Sequence, residues 1–176
     1  NLENFLNTKI KKIEYNLNNI NKEFFKEAER LLPNNKYIGF SITQGNEYRK
    51  KSWSLINFIE IAKKIQIIDK TPVFFLEKNN SDIVSKIKLE IPQALFPEHE
   101  SKLSGPALVT ALSSRLEKAI SIDNGIMHMI NMANVPMIVL FGPTNSEKFA
   151  PSRKNVIILD SKKMYKTNNI QKINIV

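Results

Sequence analysis

Two short apolar runs separated by one helix-length segment constrain this chain more than anything else in it. Lys118 to Ile122 ends in Asp123-Asn124-Gly125, and a helix-like run follows from Ile126 to Ala133. Val135-Pro136 then leads into a second apolar run, Met137 to Phe141, which ends in Gly142-Pro143-Thr144-Asn145. This order reads as strand, turn, helix, strand, turn. Parallel strands buried on both faces give continuous apolar runs of this kind. In an open parallel sheet, ligands bind in the crevice at the carboxyl ends of the strands. The polar turns at 123–125 and 142–145 are therefore where chemistry is expected.

The same alternation extends through most of the chain. Phe24, Phe25, Ala28, Leu31 and Leu32 fall at helical spacing and Pro33 stops the run; helical periodicity returns over 55–68, and Ser81 or Asp82 is placed to cap a helix to Leu89. Pro106 suits the first turn of a helix to about Arg115. Short apolar runs at 37–42, 73–76, 94–96 and 156–159 supply the other strands. The pattern predicts an α/β fold, a Rossmann-like open parallel sheet of about six strands with flanking helices. Residues 1–35 are expected to be a lead-in segment and N-terminal helix, 36–160 the Rossmann-like domain, and 161–176 a basic tail.

At 176 residues the chain is long enough to bury a real core. With no cysteine, disulfides and thiolate metal sites are excluded and a reducing compartment is permitted, so a cytoplasmic location is expected. No apolar run approaches the roughly 18 residues of a membrane span, and the first thirty residues are too dense in Asn, Lys and Glu for a signal peptide. The net charge of +9 does not by itself point to nucleic acid, because only four of the 26 basic residues are Arg and they do not cluster with aromatics. No nucleic-acid partner is expected. Only residues 152–176 are locally basic, with Arg153, Lys154, Lys162, Lys163, Lys166 and Lys172 against Asp160. Such a run reads as solvated surface or, less often, as a contact to an anionic membrane or a lipid-linked substrate.

Three segments carry candidate chemistry. Asp123-Asn124-Gly125 opens a helix whose free N–H groups and dipole favour an anion, and Gly125 lets a phosphate approach the backbone. Asn124 can cap that helix. Asp123 would repel phosphate and fits better as an acceptor for sugar hydroxyls beyond a diphosphate; the alternative is an ordinary capped turn. Gly142-Pro143-Thr144 places a backbone and a hydroxyl beside it. The loop TQGNEYRKKSWS, from Thr43 to Ser54, brings Arg49, Lys50 and Lys51 to the start of a helix, where a cation could neutralise a diphosphate. It is neither a P-loop nor a dinucleotide fingerprint. On spacing alone His128 reads as a hydrogen-bonded core residue, and His99, in Pro97-Glu98-His99-Glu100, as surface. Two histidines cannot build a His-rich metal site.

Together these elements resemble glycosyltransferase family 9, the lipopolysaccharide heptosyltransferases. That family's signature is close to D-T-G-x-x-H, a Val-Pro step, a strand and F-G-P-T. Here it reads Asp123-Asn124-Gly125-Ile126-Met127-His128, Val135-Pro136 and Phe141-Gly142-Pro143-Thr144; the upstream K-x-W-P reads Lys51-Ser52-Trp53-Ser54. The match runs from roughly Tyr37 to Leu159. The resemblance implies one half of a GT-B fold, the domain that binds a nucleotide-sugar donor, usually ADP-heptose, for transfer to a glycolipid of the bacterial surface. It implies no cofactor and no metal, and a catalytic base in an N-terminal acceptor-binding domain outside this sequence. By position it implies a donor-binding set of Thr43, Lys51, Asp123, Asn124, Gly125, His128, Gly142, Pro143 and Thr144, with Lys51 on phosphate and Asp123 on the sugar. Asn124 stands where the family usually has Thr, and Ser54 where it usually has Pro. A UDP- or GDP-sugar donor, or a nucleotide- or partner-binding domain without catalysis, remains the alternative.

Overall fold

The computed structural model describes residues 16–34, 36–45 and 47–174, so most of the expected lead-in lies outside the described residues. Helix α1 (Lys22–Leu31) starts where the Asn21 side chain accepts from the Glu23 N–H at 3.0 Å. It ends before Pro33, since the residue preceding proline disfavours helical backbone. Strand β1 (Tyr37–Ser41) follows, then α2 (Leu55–Ile67), β2 (Thr71–Phe75) and α3 (Ser81–Glu90). The N-cap of α3 is Asn80, without a side-chain cap bond, in place of the expected Ser81 or Asp82. A short helix α4 (Pro97–Glu100) leads to α5 (Pro106–Ser113), which begins after Gly105 at a φ of 93° that side chains rarely adopt. The chain then runs through β3 (Leu116–Ile122), α6 (Gly125–Met132), β4 (Met137–Phe141), α7 (Ser146–Phe149), β5 (Val156–Asp160) and α8 (Ser161–Tyr165).

The sheet is parallel throughout, with strand order β2-β1-β3-β4-β5. Alternation along each strand sends side chains to two separate cores. Val73, Phe75, Ala119, Val139 and Phe141 pack with α1, α5 and α6 on one face. Phe40, Phe74, Ile122 and Leu140 pack with α2 and α3 on the other. Phe40 stacks on Phe74 with ring centroids 4.8 Å apart and meets Phe58 edge-on.

The sheet has five strands, close to the expected number of about six. Residues 94–96 join it only through Leu95, which makes one parallel bridge to Val73. The four residues between Pro92 and Pro97 are too few for a ladder, since proline donates no N–H. The segment expected as a basic tail folds back onto the domain: Ile170 and Ile173 are buried in the same core as Phe40 and Trp53. Among the described residues no helix is long and apolar enough to cross a membrane.

The topology positions the site. From β1 the chain moves outward to β2, then returns to place β3 on the opposite side of β1. The connections leaving β1 and β3 therefore diverge, opening a crevice at their carboxyl ends. The loops after β1, β3 and β4 all emerge at that edge.

Candidate functional site

At this crevice lies a cavity of about 430 Å³, lined by Gln44, Gly45, Arg49, Lys51, Asp123, Asn124, Gly125, His128, Thr144 and Phe149. Its floor is an ion pair. Lys51 Nζ lies 2.5 Å from Asp123 Oδ2 and 3.3 Å from the Asp123 carbonyl, and the two side chains are 12% and 8% exposed. Thr144 donates its hydroxyl to the same Oδ2 at 2.6 Å. A cation, a carboxylate and a hydroxyl from three loops thus meet at one oxygen. Asp123 Oδ1 has no protein donor among the described residues.

Lys51 reaches Asp123 because its own backbone is fixed. The Gln44 side chain accepts from the Lys51 N–H at 2.6 Å, and Lys50 takes a left-handed φ of 47° that turns the chain. Asn124 caps α6, accepting from the Met127 N–H at 3.0 Å. Its amide also donates to Ser41 Oγ at 2.7 Å and to the Thr43 carbonyl at 2.8 Å. One side chain therefore joins the start of α6 to the end of β1 across the crevice. A threonine hydroxyl, with one proton, could not make both donations.

With Met127 N–H taken by the cap, the N–H groups of Gly125 and Ile126 have no intrahelical acceptor, and Gly125 places the positive end of the helix dipole at the cavity wall. An added Cβ at Gly125 would meet nothing within 4 Å, so this side of the helix start is open. His128 is exposed on the cavity rim, against the expectation of a core histidine. The buried face of α6 is taken by Met127 and Ile130, and one residue beyond Met127 the helix has turned His128 outward.

Among the other expected residues, Thr43 lines a neighbouring cavity of about 320 Å³ with Trp53, Phe58 and Asn80; Gln44 borders both cavities. Gly142 faces the C-terminal segment: a Cβ there would lie 2.9 Å from Ile170 Cβ and 3.1 Å from the Asn168 carbonyl. The Pro143 carbonyl accepts from Lys162 Nζ at 2.8 Å. Sequence reasoning missed Gln44, Gly45 and Phe149. The signal for the first two was their place directly after β1; Phe149 sits on a four-residue helix that shows no periodicity.

A third concavity, of about 460 Å³, flanks α6 on its other side, with Ile126, Met129, Leu103, Glu77 and Glu98 in its wall. The Pro97–Glu100 segment, expected at the surface, is a helical turn with a half-buried Glu98. Burial, reinforced by the charge of Glu77, pushes the Glu98 carboxyl up to about 7. Among the described residues no group of three His, Asp or Glu side chains could hold a metal ion.

The family model for glycosyltransferase family 9 (heptosyltransferase) matches residues 4–175. Among solved structures, a glycosyl transferase family 9 protein from Veillonella parvula DSM 2008 superimposes with a TM-score of 0.72 at 18% identity, over 95% of this chain and 50% of that one. ADP-heptose lps heptosyltransferase II from E. coli gives 0.63 at 19% identity, over 80% of this chain and 44% of that one. E. coli heptosyltransferase WaaC with ADP gives 0.62 at 16% identity, over 76% and 42%. At these identities the likeness is one of fold, and the chain spans about half the length of these structures. No curated protein sequence matches the chain.

Proposed function

Because this chain belongs to glycosyltransferase family 9, we propose that it forms the donor-binding half of a two-domain glycosyltransferase, taking a nucleotide diphosphate sugar in the cavity at the switch point. The observation that carries this reading is the pairing of an open helix start at Gly125 with the Lys51–Asp123–Thr144 cluster in one cavity. The diphosphate lies at the start of α6, where N–H groups and the helix dipole receive negative charge. Lys51 stands between that charge and Asp123, so the carboxylate fixes the lysine instead of repelling the phosphates. Through Oδ1, Asp123 accepts from hydroxyls of the sugar. Arg49 and His128 on the rim reach toward the same ligand. When the glycosidic bond breaks, the departing diphosphate keeps the extra charge. Lys51 and the α6 N–H groups stabilise it without reorganising.

The donor is ADP-heptose and the product a bacterial surface glycan. The acceptor is an anionic glycolipid, held with the catalytic base by a second domain of the same protein. The exposed Lys163, Lys166, Met164 and Tyr165 around α8 suit contact with an anionic membrane surface. The test is calorimetric titration of the chain with ADP, UDP, GDP and ADP-heptose. ADP-heptose tighter than ADP, with UDP and GDP weaker, supports the reading. Preference for UDP or GDP replaces the donor, and no binding by any of them leaves a partner-binding domain.

A further inference from the structure

The two loops that meet at Asp123 Oδ2 are held from behind by one short piece of chain, Asn168 to Ile173. It lies on the core face, with Ile170 and Ile173 each only 2% exposed. At one end it occupies the space where Gly142 lacks a side chain, which seats the 142–145 turn that carries Thr144. At the other end it grips the segment immediately after Lys51. Gln171 Nε2 donates to the Ser52 carbonyl at 2.7 Å, and Gln171 Oε1 accepts from the Ser54 N–H at 3.0 Å. Between these two bonds, Trp53 Nε1 donates to the Ile173 carbonyl at 3.1 Å. A side-chain amide that both donates to and accepts from residues two apart copies the pairing a neighbouring strand would give.

Ser54 makes this grip possible. It precedes α2 at a φ of −59°, and its side chain makes no cap hydrogen bond. Proline, usual at this place in the resembled motif, would fit that φ but has no N–H to give Gln171. The clamp is thus tied to the residue at which this chain departs from the motif.

We infer that Gln171 is a positioning residue for the nucleotide-binding cavity, acting through the Ser52–Ser54 segment to hold Lys51 against Asp123 and Thr144. This rests on the proposed function for its ligand, but not for its mechanical part. Gln171 is itself exposed, so its loss loosens the loop without emptying the core. Trp53, the single tryptophan of the chain, reports on the clamp without any ligand.

The experiment compares Gln171→Ala, Ser54→Pro and the double variant by ADP titration, tryptophan emission and thermal melting. If about one ordinary hydrogen bond's worth of ordering is passed on to Lys51, ADP binding should be about three- to tenfold weaker in Gln171→Ala. Trp53 emission should move to longer wavelength, with the melting temperature little changed. Ser54→Pro, which removes only the bond to Gln171 Oε1, should produce a smaller effect, and the double variant should match Gln171→Ala alone because the bond they share is lost only once. Unchanged ADP affinity and unchanged Trp53 emission in Gln171→Ala overturn the inference. So does a lowered melting temperature with ADP affinity intact, which would make Gln171 only structural. If the wild-type chain binds no ADP, the proposed function fails, and a shifted Trp53 emission in Gln171→Ala then preserves the clamp alone.

Discussion

Removing one partner of the Lys51–Asp123 pair separates what holds the site together from what binds ligand. At 2.5 Å and an effective dielectric of about 20, the gross attraction of the pair is about 7 kcal/mol. Most of this is offset by the desolvation of two largely buried groups. Lys51→Met keeps the apolar stem but leaves Asp123, 6% exposed, with the Thr144 hydroxyl as its partner on Oδ2. An orphaned buried charge of this kind costs about 3 kcal/mol. For a chain of this size that is a fall of roughly 6–12 °C in melting temperature. Adding Asp123→Asn to Lys51→Met removes the orphaned charge while keeping the shape, and should recover most of the loss. ADP binding should not recover, because the cation that faces the diphosphate is still missing. The assays are thermal melting and calorimetric titration of the wild type, both single variants and the double. If Lys51→Met melts within about 1 °C of wild type, the reasoning about burial is refuted. If the double variant binds ADP as wild type does, Lys51 has no role toward the ligand.

Three further outcomes follow from local geometry. Gly125→Ala has free space and replaces a residue of poor helix propensity, so it should melt at or above the wild-type temperature while binding ADP at least tenfold more weakly; unchanged affinity would move the phosphate elsewhere. Gly142→Ala forces a Cβ against Ile170 and Asn168 and should destabilise by about 1–3 kcal/mol in chemical denaturation; a neutral result would show that the C-terminal segment yields. Glu98, held near 7 in the fold against an ordinary value of 4.5, binds a proton in the native state that the unfolded chain releases between those pH values. Wild-type stability from this group is therefore present below about pH 4.5 and is lost as pH rises through 7, by about 3 kcal/mol at most. Glu98→Gln should flatten that dependence in melts across pH 5–8, and an unaltered slope would assign it to other groups.

The fold was largely legible because a parallel sheet covered on both faces leaves a local signature. The runs 37–42, 119–122 and 137–141 fall on strands, and the helices at 55–68 and 106–115 lie within two residues of their bounds. What escaped depended on contacts distant in sequence. Leu95 looked like a strand residue, but its neighbours leave room for a single bridge. Pro97–Glu100 looked like surface because its residues are polar, yet Glu98 is half-buried in the wall of a concavity. The 161–174 segment is basic on average, and nothing local marks Ile170 and Ile173 as core. At the site, Asp123 and Thr144 were each visible as chemistry at the end of a strand, and Lys51 as a cation before a helix. Their convergence on one oxygen joins positions 72 and 21 residues apart and exists only in the fold.

The central claim, that a nucleotide diphosphate sits at the switch point between β1 and β3, is tested most directly by following backbone amide resonances of the labelled chain during titration with ADP. The largest shifts are expected at Gly125 and Ile126, with smaller ones at Lys51 and Thr144 and along Ser52–Ser54. Saturating shifts confined to another face, or none at millimolar ADP, would contradict it.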